Sequence, residues 1–211
     1  MFCCLDGKKV SVDEEDRVRW MESKDGVFSV KSLYRALQPV SIVSFPSKII
    51  WNSCVQPKLS FFAWEALWGR VLTLARLQKR GWVLANRCFL CQMFEESIDH
   101  LLHCEKTRKV WMLLLSLFGV SWVFPYSAKE TFLGWRGSFV GKKRKTMWQV
   151  GSLYLFWVIW KARNKIAFED SVLSIQRLKA SFMYLLWSKT KLWIKGGPST
   201  LIDFIDWVGL R

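Results

Sequence analysis

The sequence predicts a mainly α-helical protein with a short N-terminal β-hairpin and a C-terminal helical extension. Long segments repeat apolar residues at helical spacing, whereas segments that alternate apolar and polar residues are few. Hydrophobic residues make up 51% of the chain, which is enough for a packed core and excludes a disordered tail. The 14 Trp residues are spread from Trp20 to Trp207, so we expect most of them in the core or at packing interfaces.

The first elements are predicted from alternation and capping. In residues 16–30, DRVRWMESKDGVFSV, side chains of different polarity alternate on both sides of KDG. This pattern is typical of two strands joined by a hairpin turn. Ser29 is placed to cap the helix that follows. The apolar face of that helix comprises Val30, Leu33, Tyr34 and Leu37.

Pro and Gly residues divide the next part of the chain into short helices. Residues 39–47 contain two prolines and are predicted to form a loop. Pro57 precedes an apolar helical stripe in residues 58–70. Thr73 is placed to cap another short helix, which Gly81 is placed to end.

Four longer patterns follow towards the C-terminus. A helix is predicted over roughly residues 106–118, and the capping-box pattern SAKE at 127–130 opens a short one. Residues 142–168 are predicted to form one long helix, and residues from about 173 to 194 another. No element is assigned to the final segment, LIDFIDWVGL.

Two apolar runs are predicted to be buried in protein and not in a membrane. Val110–Tyr126 is interrupted by Ser, Gly and Pro residues, and Leu153–Trp160 is far too short for a hydrocarbon core of roughly 30 Å. The start, MFCCLDGKKV, lacks a basic region followed by an apolar run, so we expect no secretory signal and an intracellular protein, nuclear or cytoplasmic. In that setting, closely paired Cys residues favour metal binding over disulfides.

The sharpest chemical pattern is Cys88-Phe-Leu-Cys91, followed by His100 and Cys104. A Cys-x2-Cys turn presents two thiolates to one ion. His100 and Cys104 are four residues apart, so they share one face of a predicted helix that Ser97 can cap. Together the four side chains would complete a closed tetrahedral Zn²⁺ site.

Two alternatives to this ligand set stay open. His103 could replace His100, although adjacent helical residues point about 100° apart and would bring His103 and Cys104 together less easily. The other alternative is that the three thiols are simply buried and the histidine lies on the surface.

The sequence contains no constellation that supports catalysis. It has no Tyr-x-Asp-Asp polymerase signature and no Gly-rich phosphate loop. The acidic pairs are interpreted as solvated surface: Glu14-Glu15, Glu95-Glu96 and Glu169-Asp170. A closed four-ligand site also leaves no position for an activated water. We therefore expect no enzymatic activity and no small-molecule substrate.

The charge predicts a polyanionic partner. The net charge is +15 at pH 7, and nucleic acid is the commonest partner of such a domain. The candidate phosphate contacts are Lys142, Lys143, Arg144, Lys145, Arg70, Lys79, Arg80 and Arg87. The alternative for the cluster 142–145 is a solvated helix start, where positive charge opposes the helix dipole. Trp148 could stack on a base, although a core position is favoured.

The residues also resemble a known family. The segments DRVRWMESKDGVFSVKSLYRAL, IWNSCVQPKLSFFAWEALWGRVLT, LQKRGW and CFLC…HLLHCEKTRKVW are similar to the zinc-binding domain found downstream of reverse transcriptase in plant LINE-type, non-long-terminal-repeat retrotransposons. The resemblance covers about residues 16–125. FGVSWVFP, GWRGSFVGKKRKTMWQ and FWVIWKARNKIAFE resemble the sequence that usually follows. The resemblance implies three parts of the chain: an N-terminal remnant (1–15), a zinc-binding domain (16–125) and a helical extension (126–211).

The resemblance implies the same Cys/Cys/His/Cys ligands: Cys88, Cys91, His100 and Cys104. Framework positions also match at Trp51, Pro57, Phe61, Phe62, Trp64, Gly69 and Gly81-Trp82. The chain departs from the family pattern in HLLHC, which has one residue fewer than the expected HLLLHC. On a helix this deletion would rotate Cys104 by roughly 100° relative to His100.

Two functions are therefore expected as alternatives. Polymerase, endonuclease and RNase H domains are not recognised, so the chain resembles a remnant of a longer element. The first alternative is a zinc-stabilised module that binds RNA or DNA through its basic residues. The second is a structural or interaction domain that packs on a reverse transcriptase domain in trans, or a remnant without function.

Overall fold

The computed structural model describes residues 19–37, 45–136, 142–169, 171–192 and 196–209. The chain divides into two compact units, Met1–Ser44 and Phe45–Arg211. The described residues contain ten α-helices: α1 (Val30–Leu37), α2 (Ser47–Ile50), α3 (Pro57–Leu67), α4 (Leu74–Gln78), α5 (Ile98–His103), α6 (Glu105–Phe118), α7 (Ala128–Gly134), α8 (Lys142–Glu169), α9 (Ile175–Thr190) and α10 (Leu201–Gly209).

The prediction of an N-terminal β-hairpin is wrong. The described part of residues 16–30 begins at Arg19, and neither it nor any other described residue forms a strand. A tight loop takes its place, closed by one backbone hydrogen bond of 2.8 Å from Trp20 N–H to Gly26 O. Helix therefore dominates the described chain, as the periodicity predicts, but without the β element.

Local side-chain hydrogen bonds explain why the loop does not extend into strands. The Ser23 hydroxyl donates to Val27 O at 3.0 Å, and Asp25 Oδ1 accepts from Val27 N–H at 3.2 Å. Both backbone groups of Val27 are thus used within the loop and are not available to a ladder. The chain then enters α1, where Ser29 Oγ caps the helix by accepting from Ser32 N–H at 3.1 Å.

The long helix α8 is the centre of the second unit. Helices α3, α6 and α9 all pack against it. Such a helix must be apolar on nearly every side, because it is covered on nearly every side. Its buried apolar residues are Met147, Trp148, Val150, Leu153, Tyr154, Leu155, Phe156, Val158 and Ile159. No helix among the described residues is long and apolar enough to cross a membrane.

A cluster of aromatic rings joins α6, α7 and α8. The rings of Trp135 and Trp148 stack almost parallel, with centroids 4.2 Å apart. Trp135 Nε1 donates to Trp148 O at 2.9 Å, and Trp111 meets the Trp135 ring at an angle. All three side chains are fully buried. Trp148 is therefore a core residue, which was the favoured interpretation of its position.

The predicted helix boundaries are largely confirmed. Thr73, Ser97 and Ser127 each accept the backbone N–H three residues ahead and so begin α4, α5 and α7. Gly119 ends α6 in the left-handed conformation, with φ of 63°. The final segment, for which no element is predicted, forms α10 and packs against α6 and α9.

Candidate metal centre

The four predicted ligand residues meet at one point. The Sγ atoms of Cys88, Cys91 and Cys104 and a ring nitrogen of His100 all lie within 4.8 Å of one another. Cys91 Sγ and His100 Nε2 are 3.3 Å apart. Cys88 and Cys104 are fully buried, whereas Cys91 and His100 are half-buried at the rim. The cluster is therefore a candidate metal centre with one sheltered and one accessible side.

A tight backbone loop presents the first pair of thiols. Cys88 N–H donates to Phe94 O at 2.8 Å, and Gln92 N–H donates to Cys88 O at 2.8 Å. Gln92 has a φ of 59°, a left-handed conformation that non-glycine residues seldom adopt. The chain thus reverses immediately after Cys91, and the Sγ atoms of Cys88 and Cys91 lie within 4.8 Å of each other.

The second pair is not carried on a single helix, contrary to the prediction. Helix α5 holds His100 and ends at His103, while Cys104 has φ of −50° and ψ of 136° and stands between α5 and α6. Its N–H still bonds to His100 O at 2.6 Å. The extended backbone at Cys104, and not helical periodicity, therefore sets the direction of its thiol. This conformation accommodates the shortened HLLHC spacing.

His103 lies outside the cluster. Its ring meets Phe124 edge-on, with centroids 6.0 Å apart. Its Nε2 atom is buried without a hydrogen-bond partner in the described part of the chain. Between the two alternatives left open by the sequence, the geometry favours His100 as the ligand.

The donor set fits a tetrahedral ion. With zinc–sulfur bonds of about 2.3 Å and zinc–nitrogen bonds of about 2.0 Å, neighbouring ligand atoms would be about 3.5–3.8 Å apart. The cluster needs only small side-chain adjustments to reach these separations, since its ligand atoms already lie within 4.8 Å of one another. Three thiols and one imidazole are also the ligand types of closed structural zinc sites.

Hydrogen bonding and burial shift the pKa values of three of these four groups. The hydrogen bond from Cys88 to Cys104, together with burial, raises the pKa of the Cys88 thiol well above its usual range. The same hydrogen bond lowers the pKa of Cys104 and so favours its thiolate, the form that binds a metal ion. Burial lowers the pKa of His100 and favours the neutral imidazole that binds metals.

A buried ion pair fastens the metal loop, residues 88–97, to the helices. The Arg163 Nη2 atom lies 2.6 Å from Glu96 Oε1, and both side chains are at most 4% exposed. The Glu96 carboxylate also accepts Leu74 N–H at the start of α4 and Phe89 N–H inside the Cys-x2-Cys turn, at 3.1 and 3.3 Å. One carboxylate therefore links α4, the metal loop and α8.

The interpretation of Glu95-Glu96 as solvated surface is therefore wrong for Glu96, although Glu95 is exposed. Arg163, its partner, is 67 residues away in the chain. A single sequence gives no signal for such a pairing. The Arg163 guanidinium lies 4.7 Å from the Phe89 ring centroid and 5.1 Å from that of Trp160, contacts that offset part of the cost of burying the charge.

The predicted nucleic-acid contacts have different surroundings. Arg70, Lys79, Arg80 and Arg87 are exposed and precede the metal cluster. Arg70 also lies over the Trp64 ring, 5.2 Å from its centroid. Their role in binding nucleic acid stays a prediction.

The basic residues at the start of α8 differ in exposure and in contacts. Arg144 is half-buried and donates from Nη1 to Val208 O at 2.7 Å, near the end of α10. Lys145 is exposed, and the side chains of Lys142 and Lys143 lie outside the described residues. Arg144 thus has a structural contact in addition to its predicted role, which also stays a prediction.

A second basic surface lies between α8 and α9. A cavity of about 470 Å³ there is lined by Lys161, Lys165 and Arg177, among other residues. None of these three cations forms an ion pair with a described residue. Lys161 and Lys165 are four residues apart on α8, whereas Arg177 lies on α9, so the tertiary structure and not the sequence brings the three cations to one cavity.

A helical fold with three thiols and one imidazole around a common point defines a small metal-binding domain. Residues 28–111 match the family model described as zinc-binding in reverse transcriptase, and this segment contains all four clustered residues. No curated protein and no solved structure matches the chain. The segment is therefore similar to the zinc-binding domain of reverse transcriptases, which supports the family resemblance at this level.

Proposed function

We propose that this chain is a non-catalytic, zinc-binding module derived from a plant LINE-type reverse transcriptase, and that it binds RNA or DNA. The observation that carries the proposal is the convergence of Cys88, Cys91, His100 and Cys104 within a segment that matches the reverse transcriptase zinc-binding family. A closed set of four protein ligands supports a structural ion, because no ligand position is left for a reacting water.

The charge next to the cluster supports nucleic acid as the partner. Residues 66–94 contain no Asp or Glu, and they include Arg70, Arg76, Lys79, Arg80 and Arg87. All of these except Arg76 are exposed. Exposed cations in a segment without acidic residues attract phosphates and have no anionic side chain of that segment to compete for them.

A second candidate function rests on an exposed apolar surface near α3. Trp51, Phe61 and Trp68 are each about half exposed, at 47%, 58% and 49%. Trp51 and Phe61 contact each other edge-on, with centroids 5.2 Å apart. Such a patch supports packing against another protein, and a reverse transcriptase domain in trans is the candidate partner.

A salt titration tests the nucleic-acid proposal. The slope of log affinity against log salt concentration should be clearly negative for both RNA and DNA, and similar for unrelated sequences. Replacing Arg70, Lys79, Arg80 and Arg87 together with Ala should flatten that slope by roughly 3 units, at about 0.7–0.9 per phosphate contact.

The control variant removes three cations from the other basic surface: Lys161→Ala, Lys165→Ala and Arg177→Ala. It should leave the slope nearly unchanged if the surface beside the metal cluster carries binding. Metal content and thermal unfolding should be checked in both variants. A parent slope that persists in the fourfold variant, or salt-insensitive association of the protein with a polymerase domain, would favour the second candidate.

A further inference from the structure

We infer that the loop formed by residues 79–87 recognises single-stranded nucleic acid, with Trp82 stacking on an unpaired base. The inference rests on the proposed nucleic-acid binding and adds the strandedness of the ligand and the residue that detects it.

Trp82 is the most exposed Trp among the described residues. Its side chain is 65% exposed and the next residue, Val83, is fully exposed. The large core indoles of Trp111, Trp135 and Trp148 are by contrast fully buried. The Trp82 side chain has no ring contact or hydrogen bond with any described residue. Most of its indole is therefore accessible to a planar ligand.

The loop that carries Trp82 is held in place by hydrogen bonds. Trp82 N–H donates to Leu77 O at 3.2 Å, and Gln78 Nε2 donates to Leu84 O at 3.0 Å. Gly81 turns the chain with a φ of 88°, a conformation that side chains disfavour. A ring on a fixed backbone loses less entropy on stacking than one on a mobile loop.

The far end of the same loop is tied to the metal loop. Asn86 Oδ1 accepts from Glu96 N–H at 2.8 Å, and Glu96 is the residue that bonds to Arg163. Arg87 directly precedes the cluster residue Cys88. The loop that carries Trp82 is thereby connected to the buried Glu96–Arg163 ion pair.

The charges around Trp82 favour a strand of nucleic acid over a protein surface. Lys79 and Arg80 precede it, Arg87 follows it, and no acidic residue lies in the loop. Exposed aromatic rings among cations are the arrangement that binds single strands, since the rings stack on bases while the cations follow the phosphates. In a duplex the base faces are already covered, so only the cations would contribute.

The inference is tested by comparing single strands with duplexes. Fluorescence anisotropy would measure the affinity of the zinc-loaded protein for a 12-nucleotide RNA, a DNA of matching sequence and their duplexes. Trp82→Ala should weaken binding to single strands about 5- to 150-fold, the effect of losing one stacked base. Duplex affinity should change less than about twofold, and the salt slope should stay that of the parent, because no phosphate contact is lost.

Two further variants separate stacking from structure. Trp82→Phe keeps an aromatic face and should retain most of the single-strand affinity. Tyr184→Ala removes an exposed aromatic residue from α9 and should have no effect. An equal loss for single strands and duplexes, or no loss for either, would overturn the inference while leaving the nucleic-acid proposal intact. A parent protein that binds neither form would overturn both.

Discussion

The helical core and the metal loop of this protein are stabilised in different ways. In the core, α8 is covered by α3, α6 and α9, and its aromatic residues pack against one another without solvent. Residues 79–97, between α4 and α5, contain no helix and expose Met93 and Phe94 as well as Trp82. The core therefore depends on apolar burial, which is spread over many contacts. The metal loop depends on a few polar contacts and on its candidate ion.

The largest expected effect breaks the metal loop and the start of α6, and leaves α8 and α9 folded. Apparent binding free energies of structural zinc are about 10–16 kcal/mol, comparable to or larger than the stability of a typical domain. We expect one zinc per chain in purified protein. Removal by a chelator, or the variant Cys88→Ser, should abolish hydrogen-exchange protection in at least residues 82–111, whereas α8 and α9 retain more of theirs.

Cys54→Ser is the matched control for that experiment. Cys54 is half-buried and lies outside the cluster, so its variant should keep both the metal and the protection pattern. If stoichiometric metal is absent from the parent and Cys88→Ser leaves melting unchanged, the candidate site does not bind an ion.

The second expected effect destabilises the helical core and leaves the metal loop intact. Trp135→Ala removes a fully buried ring that stacks on Trp148, and we expect it to lower the free energy of unfolding by about 3–5 kcal/mol. Trp82→Ala, at an exposed position, should change it by about 0.5 kcal/mol or less. Denaturant unfolding measures both variants. The native Trp135→Ala protein should still hold its metal, and a selective loss of zinc without loss of global stability would contradict the separation of the two regions.

The smallest expected effect concerns the Glu96–Arg163 ion pair, which connects the metal loop to the helical core. Glu96→Gln leaves Arg163 buried without an anionic partner, which should cost about 3 kcal/mol of stability, at the lower end for a broken buried pair. Glu95→Gln changes the neighbouring exposed residue and should cost at most about 0.5 kcal/mol. Unfolding curves of the two variants should therefore differ clearly. Equal curves would mean that Glu96 does not hold the metal loop to α8.

Local chemistry made much of the fold predictable. Ser97 and Thr73 cap helices because a side-chain oxygen needs only the N–H three residues ahead, and Gly119 ends α6 because it tolerates a left-handed φ. The same local logic failed at residues 16–30. There an alternating pattern predicts strands, but Ser23 and Asp25 bond to Val27 within the loop.

The candidate site was likewise predictable from the sequence in part. Ligand chemistry and spacing select Cys88, Cys91, His100 and Cys104 from the sequence by itself, since thiols and imidazole are what a structural zinc ion requires. Only the tertiary structure decides that Cys104 leaves the helix, that His103 turns towards Phe124, and that Glu96 meets Arg163 across 67 residues. Those outcomes depend on which residues pack nearby in space. A carboxylate at the surface is solvated by water, but once α8 covers it, it destabilises the fold unless a counter-charge lies beside it.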